Sequence, residues 1–128
     1  MNKESICRLR DVQRAISALE QSIERMYGLN INEAMLLCTL RQLSDEAPQG
    51  EPLSITAGRI AELLGLTCSN ASKVIASVER KGLVERSPGI ADKREKLFVL
   101  TPQGTARLAE MNCDEVPMPD ILVKILEG

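Results

Sequence analysis

The sequence predicts a mainly α-helical fold with a small β-hairpin wing, arranged as a winged helix-turn-helix. Two helical patterns of apolar residues follow one another between residues 56 and 82, separated by a glycine and a two-residue step. Two short strand-like runs, residues 83–86 and 96–100, then replace the helical spacing. Aromatic residues make up only 2% of the chain, so the core must consist of Leu, Ile, Val, Ala and Met, which suits helices.

The length of 128 residues favours a single domain that can bury a real core. We expect one domain over residues 1–128, with a winged-helix core at 30–102 and dimerisation helices at 1–29 and 103–128. The turn-rich segment 45–53 is not expected to divide the chain, because either half alone would be too small to fold.

The chain lacks histidine, and its four cysteines lie at least 30 positions apart: Cys7, Cys38, Cys68 and Cys113. This spacing excludes a structural zinc site, and we expect neither a metal nor another cofactor. Serine or cysteine catalysis with a histidine base is excluded, and no glycine-rich phosphate loop occurs, so no enzyme is expected. We find no signal-peptide pattern or membrane-spanning apolar run, and therefore expect reduced thiols, no membrane partner and a cytoplasmic location.

The charge distribution is uneven. The whole chain has a net charge of −2, whereas residues 54–100 hold eight Lys or Arg against five Asp or Glu, a net +3. Such a local block indicates an anionic partner, although a solvated charged surface has the same composition. One Phe and one Tyr cannot form a platform for stacked bases, which excludes single-strand binders of that type.

The first helix is predicted over residues 3–27, ended by Gly28. Its apolar positions follow a heptad seam: Leu9, Val12, Ile16, Leu19, Ile23 and Met26. A helix of this length on so small a domain is expected to pack on its own core and also against a second subunit.

The second helix is predicted over residues 31–44, and Asn30 and Glu33 have the spacing of a capping box. Its buried side is expected to contain Ala34, Leu36, Leu37, Leu40 and Leu43.

The helix-turn-helix follows a short strand at Ser54-Ile55. Thr56 caps the first helix, Gly65 allows the tight turn, Thr67 caps the second helix and Gly82 ends it. The inner faces are expected to hold Ile60, Ala61, Leu63 and Leu64 in the first helix, and Ala71, Val74, Ile75 and Val78 in the second.

The second helix of the motif begins with short polar residues and one cation: Cys68, Ser69, Asn70, Ser72 and Lys73. Asn can bond to adenine in a bidentate manner, Ser can donate or accept, and Lys can reach guanine or phosphate. The pattern favours a helix tip in the DNA major groove, with Thr56 and Thr67 beside it. The alternative is that these residues only cap the helix.

The predicted hairpin has a long tip, residues 88–95, which carries Lys93 and Arg94. An arginine on such a loop suits the narrow, electronegative minor groove, and Asp92 is placed to orient Arg94. Arg86 and Lys96 are further candidate DNA ligands on the strands. The alternative is an exposed ion pair at the tip, worth about 0–1 kcal/mol.

The C-terminal part opens with Thr101-Pro102, a cap followed by proline at the first helical position, and this helix is expected to reach about residue 113. Prolines at 117 and 119 break it before a last helix at 120–127. We expect a dimer interface formed by apolar residues of the first and last helices: Leu9, Val12, Ile16, Leu19, Ile121, Leu122 and Ile125.

Taken in order, IAELLGLTCSNASKVIASVERKGLVER, the Asp92-Lys93-Arg94 tip and LFVLTPQG resemble the MarR family of bacterial winged-helix transcription regulators. The resemblance implies a homodimer on pseudo-palindromic double-stranded DNA, with residues 68–73 in the major groove. It also implies that Arg94 enters the minor groove, oriented by Asp92, and that the first and last helices form the dimer.

Many members of that family are repressors released by small aromatic or phenolic ligands, or by thiol oxidation. Cys7 lies early in the first helix, where some relatives carry a peroxide-sensing cysteine, and Cys68 is predicted at a helix N-terminus, where thiolates are favoured. The sequence departs from the family in its short, proline-broken C-terminus and in Cys68 and Lys73, where arginine is common. The other alternative is a winged helix that binds protein and never DNA.

Overall fold

The computed structural model describes residues 1–46, 55–88, 96–111 and 116–127. These residues form the following elements: α1 (Lys3–Tyr27), α2 (Ile31–Glu46), β1 (Ile55–Thr56), α3 (Ala57–Leu64), α4 (Cys68–Arg80), β2 (Val84–Pro88), β3 (Lys96–Leu100), α5 (Pro102–Glu110) and α6 (Asp120–Leu126). This order of helices and strands agrees with the predicted one. No helix within the described ranges is long and apolar enough to cross a membrane.

The chain divides into two compact units. The terminal unit comprises Met1–Ile31 and Asn112–Gly128, and the central unit comprises Asn32–Met111. The sequence-based division assigned residues 103–111 to the dimerisation helices, whereas α5 belongs to the central unit with the sheet.

The terminal unit consists of α1 and α6, which pack against each other. The side chain of Asn2 caps α1 by accepting a bond of 2.8 Å from the amide of Ser5, and Gly28, with a φ of 69°, ends the helix. The buried positions of α1 are Ala15 and Ser22, one heptad apart, rather than the large residues of the predicted seam. The seam is therefore only partly covered within one chain.

The central unit has an aliphatic core to which α2, α3, α4 and the sheet contribute. Its most deeply buried side chains include Leu36, Leu37, Leu40, Ile60 and Val78. The predicted inner face of α4 is confirmed: Ala71, Val74, Ile75 and Val78 are all buried.

Three predicted core leucines are exceptions. Leu63 is 39% exposed, because it lies two residues after buried Ala61 and so about 200° around the helix from it. Leu64, at the end of α3, and Leu43, near the end of α2, are only half-buried.

The sheet is antiparallel with the strand order β1-β3-β2, so the predicted short strand pairs with the predicted hairpin as a third, two-residue strand. Ile55 pairs with Phe98 on one side of β3, and Arg86 pairs with Phe98 on the other. The described part of this short strand is Ile55–Thr56, and Ser54 lies outside the described residues.

The LTPQG segment, residues 100–104, binds the turn after α4 and so connects α5 to the rest of the central unit. The Thr101 hydroxyl donates to the Gly82 carbonyl at 2.6 Å and accepts from the Gly104 amide at 3.0 Å. The Thr101 amide donates to the Leu83 carbonyl at 3.0 Å, and a Cβ at position 104 would collide with that same oxygen. Glycine at this position is therefore required by the close approach of α5. The helix ends at Glu110, three residues before the predicted end.

Candidate nucleic-acid interface

The N-terminal turn of α4 presents a polar tip at the start of an amphipathic helix. Thr67 caps the helix in an extended conformation, and its hydroxyl accepts from the Asn70 amide at 3.1 Å. The predicted contact residues are all exposed: Cys68, Ser69, Asn70, Ser72 and Lys73. Ala71, between them, is fully buried and faces the core of the central unit. The tip therefore offers hydroxyl, amide and ammonium groups to a partner while the opposite side of the helix anchors it.

The position of this tip is set by α3 and the turn that joins the two helices. Gly65 adopts a φ of 67°, and the Leu66 amide donates to the Ala61 carbonyl at 2.9 Å. The small side chains of Ala61 and Ala71 are buried, which allows α3 and α4 to approach closely. Thr56 caps α3, since its hydroxyl accepts from the Arg59 amide at 3.2 Å.

The C-terminal half of α4 is tied to α2 through Glu33, which is 1% exposed. Its carboxylate accepts from the Ser77 hydroxyl at 2.7 Å and from the Lys81 ammonium at 2.9 Å to each oxygen. The sequence predicted Glu33 only as part of a helix cap, and this tertiary role was missed. Ser77 and Lys81 lie four residues apart on one side of α4, a spacing that offered a signal for a shared polar partner.

Arg86 connects α4 to the first strand of the wing. Its guanidinium donates to both carboxylate oxygens of Glu79, from Nη2 at 2.8 Å and from Nε at 3.3 Å. The Arg86 Cζ also lies 5.6 Å from the centroid of the Phe98 ring. The hydrogen bonds and the negative charge of Glu79 raise the pKa of Arg86 above its ordinary value. The sequence predicted Arg86 as a DNA ligand and did not anticipate this ion pair.

The wing strands are described up to Pro88 and again from Lys96, which pairs with Pro88 across the hairpin. The predicted groove-binding residues of the tip, Asp92, Lys93 and Arg94, lie outside the described residues. Their roles, and that of Lys96, remain predictions.

The terminal unit exposes several of the apolar residues predicted for the dimer interface. The exposed fractions are 49% for Leu9, 38% for Ile16 and 61% for Ile125. Val12, Leu19 and Ile121 are half-buried. Leu122 is only 4% exposed, so little of its surface remains for a partner in this conformation.

Three cysteines lie exposed on different helices: Cys7 on α1, Cys38 on α2 and Cys68 at the first position of α4. Cys113 is outside the described residues. Both candidate redox residues, Cys7 and Cys68, are therefore accessible to solvent.

Comparison with known proteins supports the same architecture. The model of the MarR family matches residues 29–96, just over half of the chain. No curated protein matches the sequence. Among solved structures, apo MarR from E. coli is 19% identical with a TM-score of 0.68, covering 99% of this chain and 84% of that one.

Two other structures extend this likeness. The MepR–DNA complex of S. aureus is 21% identical with a TM-score of 0.69, covering 98% of this chain and 85% of that one. BpsR of Bordetella bronchiseptica is 23% identical with a TM-score of 0.71, covering 98% and 89%. At these identities the likeness shows the fold, and it confirms the predicted winged helix-turn-helix.

Proposed function

The chain belongs to the MarR family of DNA-binding transcriptional regulators, and we propose that it represses transcription as a homodimer bound to a pseudo-palindromic operator. Family membership also confirms that the protein is not an enzyme. The observation that carries the proposal is the exposed polar tip of α4, held on a buried apolar face. A regulator of this kind acts on chromosomal DNA, so its proposed location is the cytoplasm.

In this proposal the α4 tip reads base edges in the major groove. Asn70 suits the paired donor and acceptor of adenine, Ser69 suits any base, and Lys73 suits guanine or a phosphate. Cys68 and Ser72 flank this set, and the amides at the Thr67-capped end of the helix suit a phosphate.

The wing supplies the second proposed contact. Lys93, Arg94 and Lys96 lie together in sequence at the hairpin tip and the start of β3, with Asp92 placed to orient Arg94. The MepR structure and a structure of mutant MarR are described as complexes with DNA and with operator DNA, which supports a DNA partner for this chain.

The proposed homodimer is supported by the apolar surface of the terminal unit. Leu9, Ile16 and Ile125 expose between 38% and 61% of their surface, and Ile6 and Leu126 extend this set. Exposed apolar groups of this extent on one small unit suit burial against a second copy.

A small organic effector is the proposed means of release. The structure of BpsR is described in terms of the regulation of its DNA binding by 6-hydroxynicotinic acid. In this chain the central unit contains a cavity of about 420 Å³, lined by Leu40, Arg41, Ser44, Asp45, Phe98, Val99, Leu100 and Thr105. This volume is within the range of small-molecule sites, and the lining combines apolar and charged groups.

Selection from random duplex DNA with the purified protein tests the proposal. We expect enrichment of a symmetric site whose halves are centred about 10 bp apart. Fluorescence anisotropy should then show weaker binding by Lys73→Gln, while Arg10→Gln, which removes one exposed positive charge from α1, should bind as the wild type does. Absence of any enriched duplex would contradict the proposal and would favour the protein-binding alternative.

A thiol switch is the second candidate, favoured by the exposure of Cys7 and Cys68. Cys68 sits within the proposed reading surface, so an oxygen or a disulfide added there would disturb the DNA contact. Treatment with organic peroxide should then reduce operator affinity in the wild type but not in Cys7→Ser/Cys68→Ser. Unchanged affinity of the oxidised wild type would rule out the switch.

A further inference from the structure

The two proposed DNA-contacting elements meet at one junction. The recognition helix α4 ends at Arg80, Gly82 turns with a φ of 75°, and the first wing strand begins at Val84. A helix in the major groove and a wing in the adjacent minor groove can bind together only if their separation matches that of the grooves. The geometry of this junction therefore bears on DNA recognition as well as on folding.

The turn at the junction is held by backbone bonds and by Thr101, whose hydroxyl and amide donate to the carbonyls of Gly82 and Leu83. The Leu83 amide donates to the Val78 carbonyl at 3.0 Å, and the Gly82 amide donates to the Glu79 carbonyl at 3.0 Å. These bonds hold the turn itself, but they constrain the direction in which β2 leaves the turn only weakly.

An ion pair between side chains connects α4 and β2 farther from the turn. Glu79 lies in the last turn of α4, and Arg86 lies two residues into β2, so their paired bonds of 2.8 and 3.3 Å span the junction. Two parallel bonds between a guanidinium and a carboxylate fix orientation as well as distance. Phe98, directly opposite Arg86 on β3, lies beneath the guanidinium and joins the second wing strand to the same cluster.

The charge of Arg86 is already matched by Glu79. Half of the Arg86 side chain is exposed, against 23% of Glu79. A cation that keeps its carboxylate partner neutralises no phosphate on binding, and it therefore adds nothing to the release of counterions from DNA.

We infer that Arg86 is a positioning residue rather than a phosphate ligand: with Glu79 and Phe98 it sets the angle between the recognition helix and the wing. This inference rests on the proposed DNA-binding function. It replaces the sequence-based prediction of Arg86 as a direct DNA contact, and it assigns roles to Glu79 and Phe98 that the sequence did not indicate.

The test measures operator affinity against salt concentration for the full chain and for Glu79→Gln, Arg86→Gln and the double variant. We expect each single variant to weaken operator binding by roughly 3- to 10-fold, as for other residues in contact, and the double variant to be no weaker than either. The slope of log affinity against log salt should stay at the wild-type value. Arg86→Lys should restore only part of the loss, because an ammonium cannot form the planar fork.

Two comparisons separate positioning from a general loss of folding or charge. Arg10→Gln breaks an exposed ion pair with Asp11 inside a single helix and should leave operator affinity unchanged. Binding to unrelated duplex DNA should change little in Glu79→Gln and Arg86→Gln, because the loss concerns the fit to two grooves at once. Equal losses on operator and unrelated DNA would overturn the inference.

Other outcomes also overturn it. A salt slope reduced by about 0.9 in Arg86→Gln, with tighter binding by Glu79→Gln, would show that Arg86 contacts a phosphate and that Glu79 competes for it. If Glu79→Gln and Arg86→Gln both bound the operator with wild-type affinity, Arg86 would have no positioning role. If the wild type bound no duplex DNA, the proposed function itself would be rejected. This outcome is seen in the wild-type measurement alone and is therefore distinct from the outcomes for the variants.

Discussion

Removal of the Lys81 ammonium tests whether Glu33 anchors the recognition helix. The Glu33 side chain is 2% exposed, and both of its oxygens lie 2.9 Å from Lys81 Nζ. The variant Lys81→Met keeps most of the side-chain length but removes a positive charge from beside a buried carboxylate. The Ser77 hydroxyl, which donates to the same carboxylate at 2.7 Å, carries no charge and cannot replace it.

The magnitude follows from the burial of the two partners. Loss of one member of a fully buried ion pair costs about 3–5 kcal/mol. Because the Lys81 side chain is 37% exposed, water reaches one side of the pair, and we expect a smaller loss of about 2–3 kcal/mol in the free energy of unfolding. The variant Ser77→Ala removes only a hydrogen bond to a charged group and should cost about 1–2 kcal/mol.

Urea unfolding followed by far-UV circular dichroism, at a single protein concentration, measures these losses. The control Lys73→Met removes the exposed ammonium of the same helix and should stay within about 0.5 kcal/mol of the wild type. The double variant Glu33→Met/Lys81→Met removes both charges and should be more stable than Lys81→Met alone. A Lys81→Met protein as stable as Lys73→Met, with no rescue in the double variant, would refute the anchor.

Three further predictions concern packing, capping and assembly. Gly104→Ala should lower the free energy of unfolding by about 1–3 kcal/mol because its Cβ meets a carbonyl oxygen, whereas Gly58→Ala, with open space around it, should be neutral or stabilising in the same urea experiment. Thr67→Ala should cost about 1 kcal/mol through loss of the α4 cap, and an unchanged unfolding midpoint would contradict the cap. Leu9→Glu should weaken the proposed dimer about 10-fold or more by burying an unpaired charge, and sedimentation velocity showing equal dimerisation of variant and wild type would exclude Leu9 from the interface.

The sequence predicted most of the architecture because helix caps, turn glycines and helical periodicity depend only on residues that are close together in the chain. Thr67 and Thr101 cap helices as their spacing indicated, and Gly65 and Gly82 occupy the left-handed conformation that tight turns need. The polar tip of α4 was predicted for the same reason, since helical periodicity alone separates Ala71 from the exposed residues beside it.

The tertiary ion pairs could not be predicted in this way. Glu33 lies 48 positions before Lys81, and nothing local indicates which of many charged residues will share its surroundings. The pairing of Glu79 with Arg86 likewise depends on the direction in which β2 leaves the turn after α4. The heptad seam of α1 showed a related limit: spacing identified an apolar stripe, but it could not tell which positions one chain buries by itself.

The proposed function requires that the α4 tip of each subunit lies in the major groove of one of two adjacent half-sites. Methylation of guanine N7 blocks an acceptor that lies only in the major groove, so interference mapping on a selected operator reports this contact directly. We expect two symmetric clusters of interfering guanines, centred about 10 bp apart, whose effect weakens when Lys73 is replaced by alanine. Binding that tolerates methylation at every guanine, or a single cluster without a symmetric partner, would contradict this placement of the α4 tips.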